Sequence, residues 1–272
     1  MQHSSLEPRP GGEVRQVKIA PLIPTRSQAV EFPWSGAEAR HRLVHGFDSR
    51  NASSRTFNLI RSKLVSIQRE RGWRMLGVVS ATPNVGKSFV SANVAAAMSR
   101  DPRFEAYLID LDLRRGTIQD IFGINTDRTI VEYLEQEDST GTLPAFVPQG
   151  QELVIIPSHA AQVHSGELLA CERATNLFRA MRSSDENKFF VCDLPPVFAN
   201  DDASIIMEYL DGYIAVVQDG KTTQREVEAA IDMLGRERLA GVVLNKYRGG
   251  LVSEGYGTED RYAQYYSSPD AD

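Results

Sequence analysis

From about Ser54 onward the chain alternates between two kinds of hydrophobic pattern. Phe57, Ile60, Leu64 and Ile67 recur at three- and four-residue spacing, which predicts an amphipathic helix. Beyond it, short continuous apolar runs predict strands at Met75–Ser80, Ala106–Leu111, Leu153–Ile156, Phe189–Cys192, Tyr213–Val217 and Ala240–Leu244. Helical periodicity lies between them, at Lys87–Arg100, Ile130–Glu135, Gly166–Arg182 and Thr223–Arg236. Unbroken apolar strands separated by helices indicate a parallel sheet covered on both faces. The predicted fold class is therefore α/β, a mostly parallel sheet with helices on both sides. No internal repeat of fixed period is visible.

The two ends read differently. The first fifty residues carry Pro8, Pro10, Pro21, Pro24 and Pro33 and the pair Gly11-Gly12, with little apolar periodicity, which predicts a mobile arm. Within it Val17–Ile23 reads either as an extended piece that docks on a partner or as plain linker. After Lys246 come Tyr247, Tyr256, Tyr262, Tyr265 and Tyr266, more than half of the 9 tyrosines, among Gly249, Gly250, Gly255, Gly257 and several acids. The expected organisation is an arm at 1–50, one α/β domain at 51–247 and a flexible, tyrosine-rich tail at 248–272.

Composition narrows the classes. With 42% hydrophobic and 24% charged residues over 272 positions, the chain has the makings of a sizeable core. A net charge of −6 argues against general nucleic-acid binding. No apolar run approaches the ~18–20 residues of a membrane span, and the N-terminus shows no charged-then-apolar leader. Two cysteines, Cys171 and Cys192, are too few for a disulfide framework and fit a reducing compartment. Cys192 sits within a strand and reads as a small core residue. The five histidines lack metal-ligand spacing and read as surface residues.

The sharpest local feature is Ala81-Thr-Pro-Asn-Val-Gly86-Lys87-Ser88. It follows an apolar strand and opens a helix, the context a Walker A loop requires. In such a loop successive backbone N–H groups curl around a β-phosphate at the positive end of the helix. Gly86 lets the backbone pass close to the phosphate. Lys87 supplies a point charge and Ser88 a hydroxyl for Mg²⁺. The candidate nucleotide-binding residues are Thr82, Pro83, Asn84, Val85, Gly86, Lys87, Ser88 and Phe89.

Two carboxylate sites accompany it. Tyr107-Leu-Ile-Asp110-Leu-Asp112-Leu-Arg114 is an apolar strand ending in two acids and a base. Residues two apart on a strand share a face, so Asp110 and Asp112 point the same way unless the strand has already ended. Two such carboxylates suit a divalent cation. Phe189-Phe-Val-Cys-Asp193-Leu-Pro195-Pro196 is another buried strand ending in an acid and stopped by prolines, the form of a Walker B carboxylate. Each alone reads more often as a solvent-facing strand-end acid, and the cradle reverses that balance. In an open parallel sheet, loops at the carboxyl ends of strands converge on one crevice.

With these residues in view, the sequence resembles the cytoplasmic bacterial tyrosine kinases of exopolysaccharide and capsule synthesis, from about Ser54 to Arg248. The most specific part is the apolar run followed by Asp-x-Asp-x-Arg, here Asp110 to Arg114. The stretches Asp193–Ala203, Asp211–Val217, Gly220–Thr223 and Gly241–Lys246 also match. The resemblance implies a P-loop fold of the MinD and ParA kind, with ATP and Mg²⁺ as cofactors. Lys87 and the loop from Thr82 to Ser88 would hold the phosphates, and Ser88, Asp112 and Asp193 would surround Mg²⁺. Asp110 would be the base for an incoming tyrosine hydroxyl. Arg114 would stabilise phosphate charge or brace its loop, and Asn245 would contact adenine. The tail would be the autophosphorylation segment, with Tyr256, Tyr262, Tyr265 and Tyr266 as acceptors. The partners implied are a membrane-embedded regulator of polysaccharide chain length (a co-polymerase) and a second copy of the chain, in a cytoplasmic protein recruited to the inner face of the plasma membrane.

The chain departs from the family pattern at identifiable positions. Asn84 stands where the family usually has Gly, although Asn tolerates left-handed backbone angles. Leu194 replaces a hydroxyl residue. The ring-forming Glu-x-x-Arg-x-x-Arg appears as Arg55-x-x-Asn58-x-x-Arg61, so the usual intersubunit salt bridges cannot form in the same way. Two other functions remain open. One is a non-catalytic nucleotide-binding regulator of polysaccharide export derived from such kinases. The other is a MinD- or ParA-like positioning ATPase, against which stand Thr82 at the signature-lysine position and the acidic tail.

Overall fold

The computed structural model describes residues 23–135, 142–159 and 165–247. In chain order its elements are β1 (Val30–Phe32), α1 (Gly36–His41), α2 (Arg55–Arg71), β2 (Met75–Ser80), α3 (Lys87–Ser99), β3 (Glu105–Asp110), α4 (Ile118–Phe122), α5 (Ile130–Glu135) and β4 (Phe146–Pro148). These are followed by β5 (Leu153–Ile156), α6 (Ser165–Ala170), α7 (Glu172–Ser183), β6 (Lys188–Asp193), α8 (Asp202–Met207), β7 (Gly212–Gln218), α9 (Gln224–Leu234) and β8 (Leu239–Asn245). The strands form one sheet in the order β1-β4-β5-β3-β6-β2-β7-β8. Neighbours are parallel except β4 against β5.

Every residue of β2, β5 and β6 is buried, as continuous apolar runs require when both sheet faces are covered. Alternate strand positions feed two cores. Met75, Val79, Tyr107, Ile109 and Phe190 join Leu169, Leu177, Phe178 and Ile206 from α6, α7 and α8 on one face. Leu76, Val78, Leu108, Phe189 and Val191 join Leu64, Ile67, Val94 and Met98 from α2 and α3 on the other. The small side chains of Ala92 and Ala95–Ala97 are wholly buried and let α3 lie close between the sheet and α2.

The topology decides where chemistry is possible. β3, β6 and β2 are adjacent and end together: Asp110 lies opposite Asp193, and Asp193 opposite Val78. The backbone beyond them is stitched as well. Leu194 N–H donates to Val78 O at 3.0 Å and Val197 N–H to Ser80 O at 2.8 Å.

The N-terminal stretch differs from the predicted arm. Residues 1–22 lie outside the described residues, but 23–50 pack onto the domain. β1 pairs with β4, and Tyr107 Oη donates to Pro24 O at 3.0 Å. Trp34 is 9% exposed, with its ring centroid 6.1 Å from those of Phe32 and Phe47 and 5.4 Å from that of Phe122. Buried Asn93 of α3 accepts from His45 and Gly46 N–H at 2.7 and 3.0 Å and donates to Leu43 O at 3.0 Å. The anchors are single side chains at irregular spacing, so no hydrophobic period announces them. The helix expected at Gly166–Arg182 is two helices. Cys171 between them is extended (φ −70°, ψ 162°) and its sulfur accepts from Ala174 N–H, capping α7. The tail from residue 248, with Tyr256, Tyr262, Tyr265 and Tyr266, lies outside the described residues.

Candidate active site

The loop between β2 and α3 wraps the start of the helix. Ser80 Oγ donates to Thr82 O at 2.8 Å, and Pro83, Asn84, Gly86, Lys87, Ser88 and Phe89 line a cavity of about 200 Å³. Asn84 and Gly86 have φ of +64° and +91°, so the left-handed angle predicted to be tolerable at Asn84 is adopted. At Gly86 an added Cβ would lie 2.2 Å from Asn245 Nδ2. The Phe89 ring packs edge-on against Phe57 of α2, centroids 5.8 Å apart, which anchors the first turn of α3. Val85 is buried beneath the loop.

Lys87 reaches across to the ends of the neighbouring strands. Its Nζ lies 2.8 Å from Asp193 Oδ1, 3.5 Å from Asp112 Oδ2 and 3.3 Å from Ser88 Oγ. Ser91 Oγ also donates to Asp193 Oδ1 at 2.7 Å. Burial by itself would lower the proton affinity of Lys87, but the Asp193 and Asp112 carboxylates outweigh it and hold the pKa above its ordinary 10.5. Asp112 is pushed up by burial, with Lys87 opposing and Asp193 adding to the rise.

β3 ends at Asp110, so Asp112 lies in the loop just beyond the strand, although Ile109, Leu111 and Leu113 keep to one core. Asp110 Oδ1 accepts Asp112 N–H and Oδ2 accepts Ile118 N–H, both at 3.1 Å. Its side chain is wholly buried, and Asp112 rather than Asp110 lines the cavity. Burial first, and then the facing Asp193 charge, raise the Asp110 pKa well above the carboxylate range. Arg114 turns away from the cavity: its Nε donates to Ser165 Oγ at 2.9 Å and sits 3.5 Å from Asp202 Oδ2. Asn245 ends β8 with Nδ2 donating to Val85 O at 2.8 Å.

Arg115 and Thr117 line the same cavity and were not singled out from the sequence. Arg115 donates from NH1 to Asn84 Oδ1 at 2.9 Å. The Thr117 hydroxyl oxygen is buried without a partner. The only sequence signal for them was their place directly after Asp112-x-Arg114.

Asp193 Oδ2 is buried and unpartnered, an uncommon state for a carboxylate oxygen. Together with the Ser88 hydroxyl and the Asp112 carboxylate it offers hard oxygen donors that fit Mg²⁺. No group of three or more His, Cys, Asp or Glu side chains among the described residues is arranged to hold a metal by itself.

A mostly parallel sheet, a phosphate cradle opening a helix and strand-end acids on the two adjacent strands define a P-loop nucleotide-binding protein. MinD of Pyrococcus horikoshii OT3, solved with Mg-ADP, shares this fold at a TM-score of 0.52 and 17% identity, over 65% of this chain and 72% of that one. The kinase domain of the Escherichia coli tyrosine kinase ETK superposes at a TM-score of 0.66 with 23% identity, over 84% of this chain and 94% of that one. By sequence, the tyrosine-protein kinase YwqD of Bacillus subtilis (strain 168) is 25% identical over 236 residues, 84% of this chain and 97% of that protein. The tyrosine-protein kinase ptk of Acinetobacter johnsonii is 29% identical over 173 residues, and the succinoglycan biosynthesis transport protein ExoP of Rhizobium meliloti (strain 1021) is 32% identical over 206. These alignments cover 64% and 71% of this chain but only 23% and 25% of those proteins. No protein-family model matches the chain. The chain is a relative of the bacterial tyrosine kinases, built on the P-loop fold they share with MinD. No helix among the described residues is long and apolar enough to cross a membrane.

Proposed function

We propose that the protein is an ATP-dependent protein tyrosine kinase that phosphorylates its own C-terminal tyrosines, Tyr256, Tyr262, Tyr265 and Tyr266, and regulates exopolysaccharide or capsule synthesis. The observation that carries this reading is the meeting of three separate stretches of chain: Lys87, Ser88 and Asp112 line one cavity, and buried Asp193 holds the Lys87 ammonium from behind. The names of its relatives support the reaction, and that of ExoP supports the polysaccharide context.

In this reading Lys87 exchanges its carboxylate partners for the β- and γ-phosphate oxygens of ATP. Ser88, Asp112 and Asp193 would hold Mg²⁺, which would neutralise charge on those oxygens. Arg115 and the Thr117 hydroxyl flank the phosphates at the cavity wall. Phosphoryl transfer asks mainly for alignment and charge neutralisation, so a phenol held in line needs only a weak base. Asp110 is the base implied by family resemblance, but both its oxygens are committed to backbone amides. We assign it instead the role of a post that fixes the turn carrying Asp112. Arg114, paired with Ser165 and Asp202, braces the same turn from outside. A membrane-embedded chain-length regulator is the partner this reading requires, recruiting the protein to the inner face of the plasma membrane.

A second reading, a nucleotide-binding regulator without kinase activity, is favoured by α2. Asn58 there donates to Ser49 O at 3.4 Å and accepts from Arg100, so the position is turned to its own chain rather than offered for assembly. Incubation with Mg-ATP, with and without the membrane partner, followed by phosphotyrosine detection separates the two. The kinase reading expects a signal that is lost when the four distal tyrosines become Phe. Silence under both conditions supports the regulator.

A further inference from the structure

We propose that Asn84, Asn245 and Lys246 form a strap around the outer side of the cradle that presets the Val85 and Gly86 amides for a phosphate chain, making all three positioning residues. This deepens the nucleotide-binding reading and rests on it. The strap is visible in two carbonyls. Lys246 Nζ donates to Asn84 O at 2.6 Å, and Asn245 Nδ2 donates to Val85 O at 2.8 Å. In a trans peptide the C=O and the following N–H point in opposite directions. Holding the Asn84 and Val85 carbonyls from outside therefore turns the N–H groups of Val85 and Gly86 inward, where a cradle needs them. The Lys246 ammonium also makes its bond charge-assisted, the stronger kind.

Backbone angles agree. Asn84 at φ +64° and Lys246 at φ +56° are two of only three non-glycine residues with positive φ among the described residues. Such angles persist where surrounding contacts over-determine them, and here the two strained residues hold each other. Gly86 is part of the same fit, since its missing Cβ is the space that Asn245 Nδ2 enters. Asn84 adds what glycine would not: its Oδ1 accepts from Arg115 NH1 at 2.9 Å, tying a cavity-wall guanidinium to the cradle rim. Lys246 leans further on Gln218 Oε1 at 3.5 Å, and the Asn245 carbonyl accepts Asp219 N–H at 3.0 Å, so β7 and β8 carry the strap.

Asn245 thus recognises the phosphate side of the ligand through the loop, rather than the base. The test uses the full chain and two probes, Mg-ADP and inorganic tripolyphosphate with Mg²⁺, titrated calorimetrically into wild type, Asn245→Ala, Lys246→Met, Lys246→Arg and Asn84→Gly. The strap predicts that Asn245→Ala and Lys246→Met each weaken both probes by the same factor, roughly tenfold. Lys246→Arg should recover most of the loss, and Asn84→Gly should weaken tripolyphosphate by freeing Arg115. The melting temperature without ligand should fall by no more than about 4 °C in Lys246→Met, because that side chain is exposed. If Asn245→Ala weakens Mg-ADP but spares tripolyphosphate, Asn245 reads the base and the strap is wrong. If no variant changes tripolyphosphate binding, the strap is likewise wrong. Wild type binding neither probe would overturn the nucleotide-binding reading itself, a distinct result that removes the strap with it.

Discussion

Replacing Lys87 with Met tests the electrostatics of the site without reference to any reaction. Lys87 is 6% exposed and is the cation that neutralises buried Asp193 and Asp112, with Asp110 adjacent to both. Removing one partner of a buried ion pair costs about 3–5 kcal/mol, because the other is left uncompensated. For a domain of this size that corresponds to a fall of roughly 6–20 °C in melting temperature. The pH dependence is more specific. A carboxyl group whose folded pKa exceeds its unfolded value favours the fold most below the unfolded value, and that contribution disappears as pH rises through the folded one. Asp110 and Asp112 already lie in this class, pushed up by burial, and without Lys87 they rise further. The deficit of Lys87→Met should therefore be small near pH ~4 and widen toward neutrality, each unit of added pKa shift being worth about 1.36 kcal/mol. In wild type the contribution of Lys87 itself persists up to its ordinary pKa of 10.5 and beyond, since its folded value is raised. Urea unfolding of both proteins across this range reads the difference directly. A deficit that is absent at pH 8, or constant with pH, would mean that Lys87 does not neutralise these buried carboxylates.

Three further outcomes follow from particular contacts. Gly86→Ala should abolish Mg-ADP binding by calorimetry, since φ is +91° and the new methyl would lie 2.2 Å from Asn245 Nδ2; retained affinity would show that the loop has another conformation. Asp110→Asn keeps one carbonyl oxygen for an amide whereas Asp110→Ala keeps none. The Asn variant should thus hold phosphotransfer within about tenfold of wild type while Ala loses it, together with about 1–3 kcal/mol of stability. Equal and complete loss in both would make Asp110 the base. Trp34→Ala should destabilise the protein by about 3–5 kcal/mol in urea unfolding, because its ring joins Phe32, Phe47 and Phe122; an unchanged midpoint would mean that residues 23–50 do not hold the fold.

The bounds of β2, β5 and α5 follow directly from the hydrophobic pattern, and so does the alternation that makes the sheet parallel. Strands buried on both faces leave a continuous apolar signature, and Met75–Ser80 could hardly be read otherwise. The strand end at Asp110 was not legible because Leu111 and Leu113 continue the apolar alternation and are themselves buried. At the strand end a carboxylate catches the amide two residues on, a local side-chain bond that hydrophobic periodicity does not encode. Similarly, β1 and β4 are three residues each, too short to show a period, and Trp34 and Val44 anchor the N-terminal segment singly. At the site, Lys87, Asp112 and Asp193 were recoverable because strand-end acids and a cradle lysine have a fixed relation to the sheet. Arg115, Thr117 and the outward grip of Asn245 on Val85 were not, since their roles come from loops meeting in space.

The convergence of Lys87, Asp112 and Asp193 on one triphosphate is tested most directly by a structure of the protein with Mg²⁺ and a non-hydrolysable ATP analogue. In it Lys87 Nζ should leave Asp193 Oδ1, now 2.8 Å away, for phosphate oxygens, while Asp112, Asp193 and Ser88 turn to the cation. Nucleotide bound elsewhere, with Lys87 still seated on Asp193, would contradict it.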